Sequence, residues 1–188
     1  MTPDQIEHLF TRDGTYLCAR WARPVAPVIF GLADDSMAIF RAAIGAGFAH
    51  AGHPMVETDP EMGANLMLFF VNDWDELNGL PDLDGLTGQS GLADRLIAQN
   101  ADQYRIFRFD PDGAIRASMA FLRMSGPLGD AHPGQLAETL TMRAMLTFAQ
   151  DVTPHPELAA LIKAAYDPRL PVAAHDPSHA LRLAARLP

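Results

Sequence analysis

The chain has 188 residues, 48% of them hydrophobic, which is apolar content enough for one folded domain and excludes a disordered chain. Fourteen Lys plus Arg against 23 Asp plus Glu leave a formal charge of -9, a field that disfavours non-specific nucleic-acid binding and an anionic membrane surface. Cys18 is the only cysteine, so an internal disulfide and a cysteine zinc cluster are excluded.

The opening Met-Thr-Pro-Asp-Gln-Ile-Glu-His carries neither a basic n-region nor an apolar h-region. No run approaches ~18 apolar residues, so no membrane span is predicted and a cytoplasmic protein is expected. Val25 to Phe30 is predicted as a buried strand, entered through Trp21 and Pro24 and closed at Gly31. Asp34, Asp35 and Ser36 offer an N-cap to a helix with Met37, Phe40, Ile44 and Phe48 on one face, ended by Gly52 and Pro54. Asn65 to Val71 is apolar and of strand length, which predicts a central strand. Residues 72–90 are rich in Asp and Gly and predict a long polar loop. Ser90 is placed to cap a short helix to about Asn100. Tyr104–Phe109 and Ile115–Met124 flank Asp110-Pro111-Asp112-Gly113, the pattern of an antiparallel hairpin. Ile115, Ala117, Met119 and Phe121 are expected inward, Arg116 and Ser118 outward. Three helices should follow: one carrying Leu136, Leu140, Ala144 and Phe148, one opened by Pro156, and one started by Asp176 and Pro177. The whole chain, 1–188, is expected to form a single α+β domain with a mixed, mostly antiparallel sheet and a helical C-terminal half.

Candidate chemistry is sparse. His50 and His53 are three apart near a helix end, and His175 and His179 are four apart at another helix start. Either pair has a spacing that suits two zinc ligands, or is simply exposed or locally hydrogen-bonded. Asp73, Asp75, Glu76, Asp82 and Asp84 offer hard oxygens for calcium, but the twelve-residue calcium-loop spacing is absent, which favours a solvated acidic loop. Gly45-Ala-Gly47 does not follow a strand, so no dinucleotide fingerprint is present, and no phosphate loop ends in Gly-Lys-Ser/Thr. No cofactor is implied. Glu138 is the only carboxylate of a mostly apolar helix. Facing inward it would have a raised pKa and mark a site, whereas facing outward it complements the helix N-terminus.

Several segments occur in an order that resembles a known family. They are Arg20-Trp21-Ala-Arg23-Pro24-Val25, Ala64-Asn65-Leu66-Met67-Leu68-Phe69-Phe70-Val71, Asp112-Gly113-Ala-Ile115-Arg116-Ala117, Ala137-Glu138-Thr139-Leu140-Thr141, and Ala165-Tyr166-Asp167-Pro168-Arg169-Leu170. Their order over most of residues 10–187 resembles the DUF2927 family of bacterial proteins, whose members look like relatives of the zincin-like, zinc-peptidase fold. A zincin helix needs His-Glu-x-x-His, two imidazoles on zinc and a glutamate as general base. The matching frame here reads Ala137-Glu138-Thr139-Leu140-Thr141, with both histidine positions empty. The resemblance therefore implies a zincin-like fold without the usual chemistry.

The leading expectation is a non-catalytic, peptidase-like domain that binds a protein or peptide partner, for instance along a sheet edge. The alternative is a metal-dependent hydrolase with a rearranged site, in which Glu138 is the base and His50, His53 or His132 are ligands. A third reading places a small ligand in an apolar pocket under the 72–90 loop.

Overall fold

In the computed structural model, which describes residues Met1–Pro188, the chain opens with a helix that the sequence reading leaves unassigned. Thr2 Oγ1 accepts from the Gln5 amide at 3.3 Å, and Gln5 Oε1 accepts from the Thr2 amide at 2.8 Å. This capping box, with Pro3 in the first turn, starts α1 (Pro3–Phe10), which buries Ile6 and Phe10. A short ladder of β1 (Thr11–Arg12) and β2 (Thr15–Tyr16) turns through Asp13 and Gly14, and β3 (Cys18–Ala19) follows.

β4 (Pro27–Phe30) and α2 (Asp34–His50) lie where the sequence predicts them. α2 has Ala33 at its N-cap with no side-chain bond, and Asp34 and Asp35 instead meet the positive end of the helix in its first turn. β5 (Leu66–Val71) is buried at every position, as a strand covered on both faces must be. The expected polar loop holds structure of its own. A 3-10 turn at Trp74–Gly79 is closed by a capping box between Asp73 and Glu76, and Asp82 caps α3 (Leu83–Thr87) by accepting from the Gly85 amide at 3.2 Å. Gly91, rather than Ser90, occupies the N-cap of α4 (Leu92–Ala98). The predicted hairpin is present as β6 (Gln103–Phe109) and β7 (Ile115–Arg123). α5 (Pro133–Met145), α6 (Pro156–Ala165), β8 (Ala173–Ala174) and α7 (His179–Ala184) complete the helical C-terminal half.

The main sheet has the order β4-β5-β7-β6. β4–β5 and β5–β7 are parallel, and only β6–β7 is antiparallel. The α+β class and the mixed sheet stand, but the main sheet is not mostly antiparallel. The reason is connectivity: the α2 crossover returns the chain parallel to β4, and β7 comes to lie parallel to β5 after two reversals, one between β5 and β6 and one at the tight Asp110–Gly113 turn. Antiparallel pairs regain the majority only through the two-residue ladders β1–β2 and β3–β8.

Both faces of this sheet are covered. Leu66, Leu68, Phe70, Ala120 and Leu122 join Phe40, Phe48, Leu140 and Leu161 in the larger core. Met67, Phe69, Met119 and Phe121 pack against Trp74, Leu77, Leu92 and Leu96 on the other side. Two-sided cover corrects one sequence expectation: Ser118 is not outward but buried, at 1% exposure, while Arg116 does reach solvent.

α2 and α5 cross at close range because Gly47 has no side chain; a Cβ there would meet Thr141 Cγ2 at 2.5 Å. α5 ends at Met145, a turn before its apolar spacing predicts, because its last carbonyls are taken by side chains. Trp21 Nε1 donates to Ala144 O at 2.8 Å, and the Tyr166 hydroxyl donates to Met145 O at 2.9 Å. Phe148 still reaches the core, through the irregular segment that Thr147 anchors to Ala19 and Leu17. No helix of the chain is long and apolar enough to cross a membrane.

Candidate binding groove at the sheet edge

The residues singled out from sequence are only partly brought together. Glu138 is exposed and lines an open groove of about 660 Å³ between α2, α5 and α6, whose walls also carry His50 and His155. His53 lies elsewhere: its Nε2 donates to Arg23 O at 2.8 Å and its ring packs edge-on against Tyr166. His50 Nε2 donates to Ala159 O at 3.0 Å. His132 and His155 act as helix caps, each accepting through Nδ1, from Gly134 N at 3.2 Å and Leu158 N at 3.3 Å. His179 is buried while His175 is exposed, so this pair is divided as well. No group of three His, Cys, Asp or Glu side chains is placed to hold one metal ion. The same holds for the acidic loop, where Asp73, Glu76 and Asp82 cap local turns. Beside α3 lies a cleft of about 840 Å³, but Asp82, Arg108 and Arg116 on its walls make it unlike an apolar small-ligand cavity.

A second arrangement has no counterpart in the sequence reading. β6 is an edge strand, and Arg123 N donates to Asp102 O just outside its β7 ladder. Antiparallel pairing alternates, so Tyr104, Ile106 and Arg108 direct their backbone groups to β7. The amides and carbonyls of Gln103, Arg105 and Phe107 therefore point away from the sheet, where no other strand meets them.

A groove of about 640 Å³ runs below this edge, between β6, the β1–β2 turn and the end of α5. Leu17, Phe107 and Phe148 give it apolar walls, and Arg12, Arg105 and Arg143 bring charge. Arg105 reaches under the sheet because alternation aims it toward α5. Its Nη2 donates to Phe148 O at 2.8 Å, its Nη1 donates to Arg143 O, and its guanidinium lies 5.0 Å from the Phe107 ring centre. Burial, then the charges of Arg143 and Arg12, pull its pKa down to about 9, and Asp151 only partly counters them. Arg105 remains charged at neutral pH and makes no ion pair with a carboxylate.

Behind the groove is a buried polar cluster. Cys18 is buried, and burial pushes its thiol well above the usual range despite the opposing effects of Tyr16 and Arg20, so it is no nucleophile. The Tyr16 hydroxyl lies 3.1 Å from His179 Nδ1, and His179 Nε2 is buried without a partner. Burial foremost, then Arg182 and Arg186, lower the His179 pKa, and burial foremost lowers that of His53. Both imidazoles are therefore neutral in the native state. Below the ordinary histidine value of about 6.5 the unfolded chain binds protons that the native state refuses. This contribution to stability is present above pH ~6.5 and is lost as pH falls through the lower native values. Asp167, held well below the carboxylate range by Arg169 and Arg186, adds its own loss only below pH ~4. Tm should fall between pH 7.5 and 5.5, and His179→Gln should flatten that slope; an unchanged slope would remove His179 from this account.

Comparison with family models, with curated proteins and with solved structures found no match.

Proposed function

We propose that this chain is a non-catalytic, peptidase-like domain that binds a protein partner by adding an extended segment of it to the β6 edge. The observation that carries this reading is the outward row of backbone donors and acceptors at Gln103, Arg105 and Phe107. Such a row repeats every second residue, which suits an added strand, and the groove below offers room for alternate side chains. The empty histidine positions around Glu138 support the absence of catalysis, since a base without ligated metal has no activated water to use. The peptidase-like character rests on the sequence resemblance. A cytoplasmic setting is part of the same proposal and rests on sequence alone.

Amide hydrogen exchange tests it. In the free protein the Tyr104, Ile106 and Arg108 amides should be protected while Arg105 and Phe107 exchange quickly. A ten-residue peptide of alternating Thr and Val with a central Glu should slow Arg105 and Phe107 by roughly tenfold or more. Protection of these two amides in the free protein would mean the edge is already covered, and the proposal would fail.

A further inference from the structure

Three of the chain's 14 basic residues line the groove under β6, in a protein of net charge -9. Arg12 donates to Ala149 O and Arg105 to two carbonyls, so neither guanidinium is matched by a carboxylate. Arg143 is paired with Asp151, and the one acid on the groove's walls is Asp13; both acids are exposed. Ser118 is an independent pointer to a ligand. It lines the same groove, is 1% exposed, and its Oγ has no hydrogen-bond partner. A buried hydroxyl is seldom left so. Register places Ser118 opposite Phe107 and Ala120 opposite Arg105, so Ser118 and Arg105 are diagonal neighbours on one face, about 7–8 Å apart.

We propose that the groove is a carboxylate-reading pocket, in which a carboxylate of the docked segment lies between the Arg105 and Arg143 guanidiniums and accepts a hydrogen bond from Ser118 Oγ. This rests on the sheet-edge reading and names the chemistry of its partner: an extended segment bearing an acidic side chain or ending in its C-terminal carboxylate. A guanidinium fork fits a carboxylate with two parallel bonds, whereas the apolar walls exclude water and strengthen them. The depressed pKa of Arg105 is consistent with a cation awaiting its counter-charge.

Four peptides of the same alternating Thr/Val backbone test it, with Glu or Gln at the centre and a free or amidated C-terminus. Binding to the intact protein is measured by calorimetry at low and high salt. A carboxylate-bearing peptide should bind at least tenfold tighter than the Gln amide, with the advantage shrinking in salt. The peptide that keeps the advantage identifies a side-chain or a terminal carboxylate. Ser118→Ala and Arg12→Gln, which should leave the fold intact, should each reduce the advantage severalfold, and Arg105→Met should abolish it. Equal binding of all four peptides, with Arg105 and Phe107 amides protected, would overturn the carboxylate pocket and leave the edge reading standing. If no peptide binds, the edge reading fails. Titration with N-acetylglutamate then decides the pocket alone: a shift of the Arg105 Nε–H resonance supports it, and no shift overturns it.

Discussion

Gly31→Ala is expected to lower stability by about 2–5 kcal/mol, a large part of what a domain of this size holds. Two effects add. Gly31 closes β4 with φ at 84°, where a Cβ is strained by about 1–2 kcal/mol. A Cβ there would also lie 1.9 Å from the Phe70 carbonyl oxygen on β5. Phe70 is in the central strand and buried on both sides, so the backbone has nowhere to retreat, and such overpacking costs about 1–3 kcal/mol more. At roughly 2–4 °C per kcal/mol, Tm should fall by about 10 °C. Gly52→Ala separates the two effects, because Gly52 has φ at 67° with nothing within 4 Å of its Cβ position. It should cost only the backbone strain, about 1 kcal/mol. Equal costs at the two sites would show that β4 and β5 do not close as tightly at that end.

Much of the scaffold is legible in the sequence because local signals there agree with tertiary context. The Asp110-Pro-Asp-Gly113 turn specifies its hairpin, and the six apolar residues from Leu66 can satisfy themselves only in the middle of a sheet. The α1 capping box is also written in Thr2-Pro3-Asp4-Gln5, although the element it starts is short. The parallel pairings are not written locally. They follow from the α2 crossover and from the two reversals between β5 and β7, which no window of residues contains. Ser118 shows the same limit: alternation alone assigns it outward, and only the helices on both faces of β7 make it buried.

The site was harder to read, for a related reason. Histidines and carboxylates draw attention because they are chemically versatile, yet His50, His53, His132 and His155 each hold a backbone group. The residues of the β6 groove come from four separate stretches, with Arg12, Arg105 and Arg143 more than 30 positions apart. An arginine on an alternating strand looks like a solvated face. The one available signal is that β6 carries Arg105 among Tyr104, Ile106 and Phe107, on the strand that the hairpin order leaves at an edge.

Trp21 tests what the most distinctive segments of the sequence are for. The Arg20-Trp21 and Tyr166-Asp167 pieces, far apart in the chain, meet at the end of α5: Trp21 and Tyr166 satisfy consecutive carbonyls, and the Arg20 guanidinium lies 5.7 Å from the Tyr166 ring centre. Trp21 is fully buried and edge-on to Phe48. Trp21→Ala removes one of the two largest such side chains and leaves Ala144 O unpaired, for an expected loss of about 4–6 kcal/mol by combining cavity and desolvation costs. Trp21→Phe and Tyr166→Phe keep most of the volume and lose one donor each, so about 1–3 kcal/mol is expected from urea unfolding of either. These segments then act as a clasp on α5, and the last turn of α5 carries Arg143, whose carbonyl receives Arg105. Well below its melting point, Trp21→Phe should therefore bind the Glu peptide as the wild type does, whereas Arg105→Met should not. If Trp21→Phe lost binding while staying folded, the clasp would be part of the site, because a fault at the end of α5 would have reached the Arg105–Arg143 pair.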